Sequence, residues 1–170
     1  MPVAQLSDRS VVLSLQEIAQ ELGDELGSPA DSGIADARDA EELLAALFTA
    51  AGEPEVAVPA DEPGAVAAGR RLLELLAEDD VTGELARSVL ADPPQDDQLA
   101  VNDAVTGVVV LAAVVSWLQT KVSFRFHRDR EGRREIEFSA EKTTDPKVLR
   151  QVVRVIRDLL LPPPPPPPLP

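Results

Sequence analysis

The sequence predicts an α+β fold: an antiparallel sheet, including a β-hairpin, packed on a central apolar helix and a C-terminal amphipathic helix, with a helical extension at the N-terminus. Three observations lead there. Ala104–Leu118 runs fifteen residues without a formal charge. Val122–Phe138 alternates apolar and polar residues on both sides of a glycine-bearing turn, the pattern of a half-buried ribbon. Leu149–Leu160 places apolar residues at helical spacing with basic residues between them.

The N-terminal elements come first. Ser14 and Glu17 have the spacing of a capping box, in which each side chain satisfies the other's backbone amide. Leu15, Ile18, Ala19, Leu22 and Leu26 follow at helical spacing, and Gly27 and Pro29 break the pattern. Asp39 and Glu42 give a second capping signal, with a stripe of Leu43, Leu44, Leu47 and Phe48 that stops at Gly52. Residues 1–52 therefore read as a helical extension.

Pro54, Pro59 and Pro63 mark a boundary, with a short strand expected at Glu55–Val58. A helix is expected over Ala65–Glu78, with Val66, Leu72, Leu73 and Leu76 inward. Thr82–Leu90 fits a helix or a strand. Asp92–Asp97, with Pro93 and Pro94, reads as a loop.

The central stretch has no polar stripe, so it belongs in a core or in a bilayer. At about 1.5 Å per residue it spans roughly 22 Å, short of a hydrocarbon layer of about 30 Å. That favours a buried helix, capped by Asn102 and Asp103 and closed by Lys121. A membrane anchor over Ala104–Leu118 is the alternative.

In the hairpin, Val122, Phe124 and Phe126 face one way, and Ser123, Arg125 and His127 the other. Asp129–Gly132 turns the chain, and Arg134–Phe138 returns with Ile136 and Phe138 inward and Glu135 and Glu137 outward. Asp145 caps a last helix with Pro146 at its first position. Its inward face is Leu149, Val152, Val153, Ile156, Leu159 and Leu160. Pro162–Pro168 ends it in a polyproline II rod. The chain divides into an extension over 1–52, an α+β domain over 53–161 and a proline tail over 162–170.

Composition limits the chemistry. Hydrophobic residues are 44% of the chain but aromatics only 3%, so the core is aliphatic. Net charge is −14. Residues 1–100 hold 5 basic and 22 acidic groups, and residues 101–170 hold 11 basic and 8 acidic. The acidic whole repels phosphate and speaks against nucleic acid. The chain has no cysteine, which excludes disulfides and thiolate sites. The first residues lack the pattern of a secretory signal, so a cytoplasmic setting is expected.

A single histidine, His127, cannot be placed in a triad, and no phosphate loop, nucleophile elbow or zinc motif occurs. Asp79–Asp80 and Asp96–Asp97 lack the oxygen spacing of a calcium loop. No enzyme activity and no cofactor are expected. The candidates for contact with a protein partner are the basic ridge Lys147, Arg150, Arg154 and Arg157, and Trp117, which reads first as core filler and second as an interface anchor. The proline tail suits an aromatic-lined groove or a stiff free end. Oligomeric state is left open.

The order of features from about Glu55 to Leu160 resembles the effector-associated constant component family. The residues that carry it are Glu55–Pro59, the run GRRLLELLAEDDVTGEL, the loop ADPPQDD, the apolar helix ending Ser116–Trp117–Leu118, the DREG hairpin and the D-P-x-x-L opening of the last helix. That family comprises small α+β domains of mainly actinobacterial conflict systems. The resemblance implies a non-enzymatic adaptor coupled to protease-like or other effectors, with no catalytic residues carried over.

Overall fold

The computed structural model describes residues 2–27, 34, 36–95, 103–139, 146–162 and 165–169. Six α-helices dominate them: α1 (Asp8–Leu26), α2 (Ala37–Ala51), α3 (Glu62–Glu78), α4 (Gly83–Ala91), α5 (Asp103–Lys121) and α6 (Pro146–Leu160). A 3-10 turn at Val3–Gln5 precedes α1. Strands β1 (Ser123–Arg128) and β2 (Arg134–Ser139) lie between α5 and α6. The α+β expectation is thereby overturned. The molecule is predominantly helical, and β1 and β2 pair only with each other. The physical reason lies in what surrounds the ribbon. The expected strand at Glu55–Val58 has no regular secondary structure, so among the described residues no third strand widens the pair into a sheet. Helices α1, α2 and α3, rather than a sheet, lie against α5.

Local chemistry accounts for most boundaries. Ser7 caps α1 by accepting a hydrogen bond from the Ser10 amide at 3.1 Å. The helix therefore begins about two turns before the expected start, and Ser14 is buried within it. Val11, Leu15, Ile18 and Leu22 form its inward stripe. Asp36, not Asp39, caps α2, accepting from the Asp39 amide at 2.9 Å. Its far end closes in a Schellman arrangement. Gly52 takes φ +70°, its N–H donates to the Thr49 carbonyl, and the Glu53 N–H donates to the Phe48 carbonyl. Asp61 caps α3 through the Gly64 amide at 2.8 Å. A side chain at Gly64 would meet Pro59 at 2.8 Å, so only glycine lets the 59–61 segment fold back there.

Thr82–Leu90 resolves as helix. Ala86, Val89 and Leu90 turn one face of α4 inward, and Leu76 O takes the Thr82 hydroxyl at 2.8 Å. The hairpin register pairs Phe124 with Phe138, Arg125 with Glu137 and His127 with Glu135. Gly132 supplies the left-handed turn residue, φ +79°. Val122 and Phe124 are buried, while Arg125 and His127 are exposed. The expected placements of Phe126, Glu137 and Phe138 side chains, and the capping roles of Asn102, Asp103 and Asp145, lie outside the described residues.

One contiguous core joins all of this. It takes in Leu15, Leu43, Leu72, Val114, Leu118 and Ile156, so residues from 1–52 share it with the rest of the chain. Gly69 marks a close approach: an added methyl would lie 3.1 Å from Leu15, 3.2 Å from Val11 and 3.4 Å from Val110, where α1, α3 and α5 meet. Two neighbouring arginines on α3 fasten the ends of the molecule. Arg70 donates to the carbonyls of Val3 and Leu6, each at 2.8 Å, and pairs with Asp8. Arg71 donates to the Leu159 carbonyl in the last turn of α6 at 2.7 Å.

Candidate functional site

α5 is apolar on every side, yet it is not enclosed on every side. Leu111, Val114, Val115 and Leu118 are buried. Val108, in the same run, is 47% exposed, and Ala112 is exposed beside it. Two adjoining hollows share Val108, Leu111 and Ala37. One, of about 220 Å³, lies between α5 and the start of α2, with Ile34, Ala40 and Val115 in its wall. The other, of about 230 Å³, runs on to Val58 and Pro59. They make one apolar groove. Its only charged residues among those described are Asp36 and Glu41, both acidic. A methyl added at Gly107 would lie 3.9 Å from the Pro59 carbonyl oxygen, an ordinary contact, so the 58–59 segment runs close to this part of the helix. Among the described residues no helix is long and apolar enough to cross a membrane.

The basic ridge of α6 is divided. Lys147 and Arg150 are exposed. Arg154 and Arg157 both turn toward Glu53, at 3.7 and 3.3 Å, and that carboxylate is only 18% exposed. The Schellman turn after α2 is what presents Glu53 to them. Arg157 also approaches Asp158 at 3.5 Å. Two members of the ridge thus join α6 to the end of α2, and two face outward.

Trp117 is 3% exposed and fills the core. Its indole Nε1–H donates to Asp79 Oδ2 at 3.3 Å, and the same oxygen takes Lys121 Nζ at 2.6 Å. The ammonium lies 5.9 Å from the indole centroid. Asp79 Oδ1 accepts from the amides of Val81 and Thr82 at 3.0 and 3.2 Å. Burial by itself would raise the pKa of Asp79. Lys121, those two amides and the indole outweigh it, so the carboxyl sits below its ordinary value. This cluster ties the end of α3 to the end of α5. Its polar groups meet one another, and the Lys121 side chain remains 25% exposed.

His127 is exposed on β1 and is engaged in an interaction within the chain. Among the described residues no three His, Asp or Glu side chains converge as a metal site would require. Asp96 and Asp97 lie outside the described residues. The groove over Val108 has no signature in the sequence, since an all-apolar helix does not declare which side its neighbours leave open. Glu53 is equally silent there, read only as a residue beside a proline.

No family model matches this chain, and neither a curated protein nor a solved structure matches it significantly. The functional reading therefore rests on the chain's own surfaces and on the order of features quoted above.

Proposed function

We propose that the protein is a non-enzymatic protein-interaction module, acting as an adaptor or accessory component of a bacterial effector or conflict system. One observation carries the reading: the apolar groove over Val108, open on an otherwise buried helix and bordered by acidic residues. An apolar hollow with a charged border is how a groove accepts an amphipathic helix. The occupant we assign is a partner helix with an apolar stripe and basic flanks. Asp36 and Glu41 favour that charge, as does the excess of 22 acidic over 5 basic groups in residues 1–100. The conflict-system setting rests on the resemblance alone, and a cytoplasmic setting goes with it. The acidic balance argues against a nucleic-acid partner.

The test is a quantitative capture from native lysate, comparing the full chain with Val108→Asp and with Glu41→Lys. Each variant is checked for unchanged helicity and melting temperature. A specific protein lost about tenfold or more on Val108→Asp, and weakened on Glu41→Lys, supports the reading, since one buried interface charge costs a few kcal/mol. Identical recovery by all three chains refutes it.

A further inference from the structure

The N-terminal turns of three long helices meet at one cavity of about 210 Å³ that shares no lining residue with the groove. Asp8 and Arg9 open α1, Glu62 opens α3, and Thr106 lies in the first turn of α5; all four line the cavity. Helix N-termini carry unsatisfied amides and the positive ends of their dipoles. Three together set up a positive potential.

The side chains add a second and independent sign. Thr106 is 0% exposed, and its hydroxyl has no hydrogen-bond partner. Nε and Nη2 of Arg9 are also shielded and also without a partner. Those two nitrogens form the side edge of the guanidinium, which grips two oxygens of one carboxylate or phosphate at once. Buried polar groups almost always find partners, and an uncompensated buried charge is costly. Here three donors from two residues that line this cavity are orphaned, and Arg9 also borders a second hollow beside Ser7 and Ser10.

The acidic residues on the wall do not cancel them. Asp8 is held by Arg70 at 2.8 Å, and Glu62 is engaged in an interaction of its own. Arg9 is therefore the one cation on this wall, among the described residues, without a carboxylate partner.

We propose that this cavity is a binding site for a small oxyanion of the carboxylate or phosphate type. Nε and Nη2 of Arg9 take two of its oxygens, and the Thr106 hydroxyl donates to an oxygen. The guanidinium sits on a jointed stem, so its edge can swing to meet the ligand. Glu62 on the wall selects a singly charged species over a doubly charged one.

The test is the melting temperature of the full chain in sodium chloride, in sodium acetate and in inorganic phosphate at pH 6, all at matched ionic strength. At ten times its dissociation constant a ligand raises the midpoint by about 3–6 °C for a chain of this size. A rise with acetate alone assigns a carboxylate, a rise with phosphate alone assigns a phosphate, and a rise with both assigns the shared class. The rise should disappear in Arg9→Met. Should that variant not fold, Thr106→Val carries the test and should show a smaller rise with phosphate. No rise beyond that in chloride, or an undiminished rise in Arg9→Met, overturns the proposal. Val108→Asp does not touch this cavity, so the two proposals fail separately.

Discussion

Asp79 is the residue on which the most polar interactions of the core converge. It stands where α3 stops, and it answers two backbone amides, an indole and an ammonium. Its folded-state pKa is depressed, so the stability it contributes is present above its unfolded value of about 3.8 and is lost as pH falls through the lower folded value. Asp79→Asn should therefore lower stability at neutral pH, leaving Lys121 with a neutral partner at the core's edge, by about 2–3 kcal/mol. The penalty should shrink as pH falls below about 3.8, where the unfolded chain's carboxyl takes up its proton first, and vanish below the lower folded value. Urea melts of both chains between pH 2.5 and 7 measure this; a pH-independent gap would deny the ionised carboxylate its role. Sequence reading weighed Asp79 as the end of a helix and, with Asp80, as a cation ligand that it did not favour. The separations of 38 residues to Trp117 and 42 to Lys121 leave no local pattern that could reveal the cluster.

Single helices were far more legible than their partners. Leu15, Ile18 and Leu22 lie inward on α1 and Val152, Val153 and Ile156 on α6, as their spacing predicts. The starts of α1 and α2 were misplaced because Ser14 and Asp39 imitate caps that Ser7 and Asp36 actually supply. A cap is decided by where the preceding chain leaves the helix, and several polar residues in a row make that ambiguous. α5 shows the opposite limit. Its uniform apolarity predicted a buried helix, but it could not orient the helix. Leu72 and Val108 make the contrast measurable. Leu72, wholly buried on α3, should cost about 2–5 kcal/mol when cut to alanine. Val108→Ala should cost well under about 1 kcal/mol, because half its surface is already wet. Similar losses from denaturant melts of the two variants would mean that Val108 is covered.

At the scale of the molecule, alternation identified the ribbon but said nothing of whether other strands join it. With no third strand among the described residues, the ribbon is a link between α5 and α6 in the chain, and the bulk of the core is helix against helix. That is why the fold class was misread while the elements inside it were mostly right. The groove was hidden for the same reason: openness is a property of neighbours. The proline tail contributes little to this body. Pro165–Leu169 is exposed throughout, and the last turn of α6 is secured before it begins. A chain ending at Leu161 should melt within about 1 °C of the full one, since removing exposed residues leaves folded contacts intact. A larger drop, read by circular dichroism, would show the tail lying against the helices.

Arg70 and Arg71 have one more implication. The opening carbonyl, Val3, is met by a guanidinium 67 residues downstream, and Leu159 depends on another 88 residues upstream. A nascent chain leaving the ribosome thus cannot fasten its leading end until translation has passed position 70, nor its trailing end until the final helix emerges. Maturation should run slower than so much helix suggests, because distant segments must find one another before either clasp can shut.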